Sequence, residues 1–98
     1  HEKLERLWRD ADEVAIEGFF RECDRDYALK HYHSTVKESA SVARRAGVKK
    51  LTLVHHSRRY AREMPDLLEE GYAAFEGREP RYSEAPVQRY ADGEGFDA

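Results

Sequence analysis

The sequence predicts an α/β layer with few strands, in the order α-β-α-α-β-α with one more short strand at the end. Two short runs, Glu13–Glu17 and Lys49–Val54, have the aliphatic and β-branched composition of buried strands. Between them lies a helical pattern with clear start and stop signals. A strand, a helix and a strand in succession argue for a parallel pair joined by a right-handed crossover. With 98 residues, 40% hydrophobic and 38% charged, the chain is expected to form at most one small domain with a modest core.

Leu4, Leu7 and Trp8 fall at i, i+3 and i+4, so residues 2–10 read as a short helix with that stripe inward. After the Glu13–Glu17 strand, Gly18 permits a turn. Residues 22–31 read as a helix with Tyr27 and Ala28 on its inner face. Thr35 and Glu38 have the spacing of a capping box, in which each side chain satisfies the other residue's backbone N–H. The helix they open carries Val36, Ala40, Ala43 and Ala46 on one face, and Gly47 stands where a left-handed terminating residue belongs. Pro65 suits the first turn of the next helix. Met64, Leu67, Leu68, Gly71, Tyr72 and Phe75 form its stripe, and Gly77 closes it. Residues 87–91 read as a last strand, turned by Asp92-Gly93, with residues 93–98 frayed.

The net charge of −3 hides a pattern. Residues 1–26 carry nine acids and five bases, residues 27–62 one acid and nine Lys or Arg, and residues 63–98 ten acids and three bases. A basic centre suits an anionic substrate, although a charged face is usually only a solvated one. No apolar run approaches the roughly 20 residues of a membrane span, and no secretory signal is visible. The single Cys23 excludes an internal disulfide framework. A cytoplasmic protein without a membrane partner is expected. A chain that starts at His1 is expected to be a piece of something longer or a processed product.

Chemistry concentrates after the second strand. Leu51–Val54 runs into His55, His56, Ser57, Arg58, Arg59 and Tyr60. Imidazoles suit zinc, and guanidiniums grip phosphate bidentately. Taken alone, the stretch is more often a strand followed by a solvated loop. In open sheets, however, ligands bind past the carboxyl ends of strands, beside helix amino termini. Glu17 ends the first strand, His33 precedes the capped helix and His55 follows the second strand, so one parallel arrangement gathers all three at a single rim. A carboxylate beside an imidazole fixes its tautomer and raises its proton affinity, which suits an acid.

Four features together resemble ribonuclease Z, the metallo-β-lactamase-fold endonuclease that trims the 3′ ends of precursor tRNAs. They are His33-Ser34-Thr35, the alanine-rich helix, the run Ala46-Gly47-Val48-Lys49-Lys50-Leu51, and the run His55-His56-Ser57-Arg58-Arg59-Tyr60. The family shows an HST loop, a helix, AGVK, a strand and THxSxRY in the same order. Ile16-Glu17-Gly18-Phe19-Phe20 falls at the family's HEATF, and Ala91-Asp92-Gly93 resembles its terminal A-x-DG.

The resemblance implies the C-terminal portion of a metallo-β-lactamase-like αββα sandwich, with residues 1–98 a single partial domain. It implies that His55 is a zinc ligand in a two-zinc enzyme and that His33 passes a proton to the leaving oxygen, oriented by Glu17. Ser57 and Arg59 would lie near the scissile phosphate. The implied partners are RNA (precursor tRNA, or another phosphodiester) and a second copy of the complete protein.

The sequence also departs from the pattern. Tyr32 stands where the family has glycine before HST, Val54 replaces the threonine before the ligand histidine, and Ile16 replaces the first residue of HEAT. The family's main metal cluster, HxHxDH, does not occur in the chain. A catalytic zinc takes about three protein ligands, so this chain is expected to be inactive alone. Two other readings stand beside the first: hydrolysis of a lactone, sulfate ester or carboxylic ester on the same fold, and a non-catalytic α/β module that binds nucleic acid.

Overall fold

A computed structural model describes residues 2–17, 20–54, 58 and 60–88. Helix α1 spans Glu2–Trp8 and strand β1 Val14–Ile16. A single 3₁₀ turn, Glu22–Asp24, leads into α2, Arg25–Lys30. Helix α3 covers Val36–Arg45, strand β2 Leu51–Leu53 and helix α4 Met64–Glu76, the last preceded by a 3₁₀ turn at Ala61–Glu63. The strands pair in parallel, with Val14 opposite Leu51 and Ile16 opposite Leu53. The chain is therefore α/β, with four helices and a short two-stranded parallel sheet among the described residues.

Helix α3 is the best-determined element because its signals are local. Thr35 Oγ1 accepts the Glu38 N–H at 3.1 Å, and Glu38 Oε1 accepts the Thr35 N–H at 3.3 Å, completing the capping box. Val36, Ala40, Ala43 and Ala46 are all fully buried, as their spacing requires. Gly47 ends the helix at φ 78°, in the left-handed region that glycine occupies without a Cβ penalty. Together with Val14, Ile16, Phe20, Leu51, Tyr60 and Leu67, this face forms one continuous core.

Two helices present faces that differ from their expected stripes. Leu7 is 73% exposed, and only Trp8 of α1 packs against the core. On α4 the buried residues are Asp66, Leu67, Glu70, Gly71 and Ala73, whereas Leu68 is only half-buried. Met64, Tyr72 and Phe75 still pack against the core as expected, and Glu70 joins the buried face because its carboxylate has a buried cation to meet, as described below. Gly71 brings α4 against the sheet. A Cβ there would collide with Leu53 Cδ1 and stand 2.8 Å from Val36 Cγ2. Alanine normally stabilises a helix interior over glycine by about 1 kcal/mol. Here the overpacking, roughly 1–3 kcal/mol, outweighs that gain because β-branched Val36 cannot rotate away. Gly71→Ala should therefore lower the unfolding midpoint in urea, and a raised midpoint would refute the close approach.

The expected last strand is not seen over its described part. Val87 and Gln88 are in no strand, and Val87 is 72% exposed; Arg89–Ala91 and the terminus at 93–98 lie outside the described residues. The segment that follows α4 is instead tied to the helix. Asp66 accepts the Ser83 and Glu84 N–H groups at 2.8 and 3.2 Å. Glu69 accepts Arg78 at 2.5 and 3.1 Å and the Arg81 N–H at 2.8 Å.

These bonds hold both carboxyls below their usual range. The Ser83 N–H is the main cause for Asp66, and the Arg78 side chain for Glu69, which falls to about 2. A carboxyl depressed by folding contributes stability fully above its unfolded value of about 4 and loses it as pH falls through the folded one. Hydrogen-exchange protection of the Arg81 amide should thus collapse between about pH 4 and about pH 2, and that of the Ser83 and Glu84 amides should be lost in acid as Asp66 protonates. Protection unchanged across that window would contradict the assignment.

Candidate functional site

The parallel register sets both strand ends at one edge. β1 ends before Glu17 and β2 before Val54, whose N–H donates to Ile16 O at 2.8 Å. Phe20 bridges in parallel to Thr35. The Phe20 N–H donates to Ser34 O at 3.2 Å, and the Val36 N–H donates to Phe20 O at 2.7 Å. This bridge carries the amino end of α3 to the carboxyl edge of the sheet, the placement expected of a functional rim.

His33 lies just before the bridge. Its N–H donates to Ala28 O at 2.8 Å, its ring sits 5.6 Å from the Phe20 ring, and the residue is exposed. Glu17 is likewise exposed at the end of β1. The fold thus brings the backbone at Glu17, His33 and Val54, the residue before His55, to a common edge. His55, expected as a metal ligand, and Ser57 and Arg59, expected as phosphate contacts, lie outside the described residues, as does His56. Among the described residues no three His, Cys, Asp or Glu side chains converge as a metal site. The described part of the rim thus carries an exposed imidazole and an exposed carboxylate.

Behind the rim lies a polar network that sequence reasoning did not single out. Arg21, 2% exposed, donates from Nε to Glu70 at 2.7 Å and from Nη1 to Glu63 at 2.9 Å. Glu70 also accepts the Glu22 N–H at 2.9 Å. Glu22 in turn accepts the Thr35 hydroxyl at 2.8 Å, which links the network to the cap beside His33. The buried Tyr60 hydroxyl donates to Asp24 at 2.5 Å and accepts the Arg21 N–H at 3.3 Å. Burial first, then the bond to Asp24, pushes the Tyr60 phenol well above its ordinary value. The network joins α4, the turn after β1 and the start of α3 into one support under the rim. One signal was present in the sequence: Glu70 falls three residues after Leu67, on the apolar stripe.

Burial, then the neighbouring Asp24 carboxylate, pushes the Cys23 thiol up to about 11, which disfavours the reactive thiolate.

These features define an α/β segment whose strand ends and helix amino terminus share one polar edge over a buried ionic support. Its relatives are specific. Over 68 residues, 69% of the chain, it is 47% identical to ribonuclease Z of Archaeoglobus fulgidus, covering 22% of that protein. It is 41% identical over 68 residues to ribonuclease Z of Haloarcula marismortui, covering 69% of the chain and 22% of the relative. With ribonuclease Z of Bacillus licheniformis the identity is 41% over 75 residues, 76% of the chain and 24% of the relative. The chain is therefore similar to ribonuclease Z, as its motifs indicate, and spans about a fifth of the length of these curated relatives. No family model matches it. No helix among the described residues is long and apolar enough to cross a membrane.

Proposed function

We propose that the chain is the C-terminal portion of a metallo-β-lactamase-like αββα sandwich and carries part of the active site of a ribonuclease Z-like endoribonuclease. Its substrate class is RNA, with the 3′ end of precursor tRNA as the specific substrate. The observation that supports this most is the Phe20–Thr35 bridge, which sets the HST loop beside the ends of two parallel strands.

In this reading His33 holds a proton and delivers it to the departing 3′ oxygen. Glu17 orients the imidazole and favours its charged form. Ser57 and Arg59 hold the phosphate, the guanidinium neutralising charge that develops on its oxygens. His55 would be one ligand of a zinc ion, which when bound would supply a Lewis acid and an activated water. One imidazole is short of the about three ligands that such a metal takes, so the remaining ligands belong to other parts of the complete protein. A cytoplasmic location and a homodimer of the complete protein belong to the same reading.

The test is His55→Ala in the complete protein, with zinc measured by elemental analysis and turnover on a nitrophenyl phosphodiester. Loss of both metal and turnover is expected. Full zinc content with ordinary turnover would remove His55 from the site.

A further inference from the structure

Tyr32, immediately before His33, is 96% exposed, more than any other large apolar or aromatic residue described. Its φ is 61°, a left-handed conformation that a bulky residue adopts only under strain. Where the resembled family has glycine, this chain places an aromatic residue and accepts that strain. Strain of this kind persists where the surroundings fix it, and they do so here. The Tyr32 N–H donates to Leu29 O at 3.2 Å, and the His33 N–H donates to Ala28 O. On either side the neighbouring rings are tied down, His31 against Tyr27 at 4.3 Å and His33 against Phe20 at 5.6 Å. Tyr32 alone is presented outward from a fixed loop. Lys30 and His31, which precede it in the chain, and Lys37, in the first turn of α3, are exposed, while Glu22 and Glu38 are engaged with Thr35.

We propose that Tyr32 is a stacking platform for an unpaired nucleobase of the RNA, in a nucleotide next to the phosphate that His33 addresses. A rigid, exposed aromatic ring flanked by cations is the composition with which proteins hold single-stranded RNA, since every base has a π-face and each phosphate a charge. The position beside His33 rests on the proposed function above, whereas the stacking itself does not depend on cleavage.

The experiment uses the complete protein and a labelled RNA hairpin with a single-stranded 3′ extension. Affinity is read by fluorescence anisotropy and fold stability by thermal melting. Tyr32→Gly should weaken binding roughly 5- to 100-fold, the factor of a lost base stack. It should not lower the melting temperature, because glycine relieves the left-handed strain. Tyr32→Phe keeps the ring and should bind like wild type. An abasic nucleotide at one position flanking the duplex end should erase the difference between wild type and Tyr32→Gly. Equal binding by Tyr32→Gly, or a difference that survives every abasic substitution, would overturn the proposal. So would a lower melting temperature or a dissociated dimer in Tyr32→Gly, since the ring would then be packing against protein. Failure of the wild type to cut this RNA would count against the proposed reaction alone, because the binding comparison still decides the stack.

Discussion

Arg21→Ala lowers unfolding stability by roughly 3–5 kcal/mol, the cost of removing one partner from a buried ion pair. Arg21 and Glu70 each have side chains only 2% exposed and meet at 2.7 Å. Without the guanidinium, Glu70 is left buried with the Glu22 N–H and the Tyr82 hydroxyl but no cation to stabilise its charge. Glu63, 21% exposed, can turn toward water and loses less. Arg21→Met, which preserves volume, should still be strongly destabilised, because the stranded carboxylate and not the cavity dominates. Adding Glu70→Leu to Arg21→Met should recover most of the loss, since an apolar pair of similar volume is often as stable as a buried ionic one. Urea unfolding of the two single variants and the double variant measures this coupling. Additive losses would mean that the two residues do not act as a pair.

The second large effect falls on turnover. In the complete protein, His33→Ala should slow phosphodiester hydrolysis by roughly 10²–10⁴-fold, as expected for a lost general acid. Zinc content should be retained. The fold should survive as well, because His33 is exposed and its contacts are a ring face and one backbone bond. Glu17→Gln should act in the same direction but more mildly, since an amide still orients the ring without stabilising its charged form. The two changes together should be little worse than His33→Ala alone, because the pair works as a unit. Normal turnover by a zinc-loaded His33→Ala protein would reduce His33 to a loop residue.

What the sequence made legible follows the range of each interaction. The Thr35–Glu38 box, the buried alanine face and Gly47 depend on residues within about three helical turns of one another, and all three are found as expected. The parallel pairing was also legible, from the strand-helix-strand order. The burial of Glu70 on α4 was less so: the residue falls on the apolar stripe, but the arginine that it meets is 49 positions away. Leu7 misled for a related reason: helical spacing identifies a stripe but not the surface that covers it. Of the expected last strand, only Val87 and Gln88 are described and neither is in a strand, while Asp66 and Glu69 hold the backbone of the segment before it. At the site, His33 and Glu17 were legible as ends of elements. The roles of His55, Ser57 and Arg59 came from motif order alone, and these residues lie outside the described part of the chain.

The proposed cleavage of RNA at a 3′ extension is tested by incubating the complete protein with a precursor tRNA bearing a 3′ trailer and mapping the products to single-nucleotide resolution. One cut at the end of the acceptor stem, leaving a 3′ hydroxyl on the tRNA, is expected, with that cut lost in His33→Ala. Scattered cuts or an intact precursor, from zinc-loaded protein that hydrolyses another ester, would contradict it.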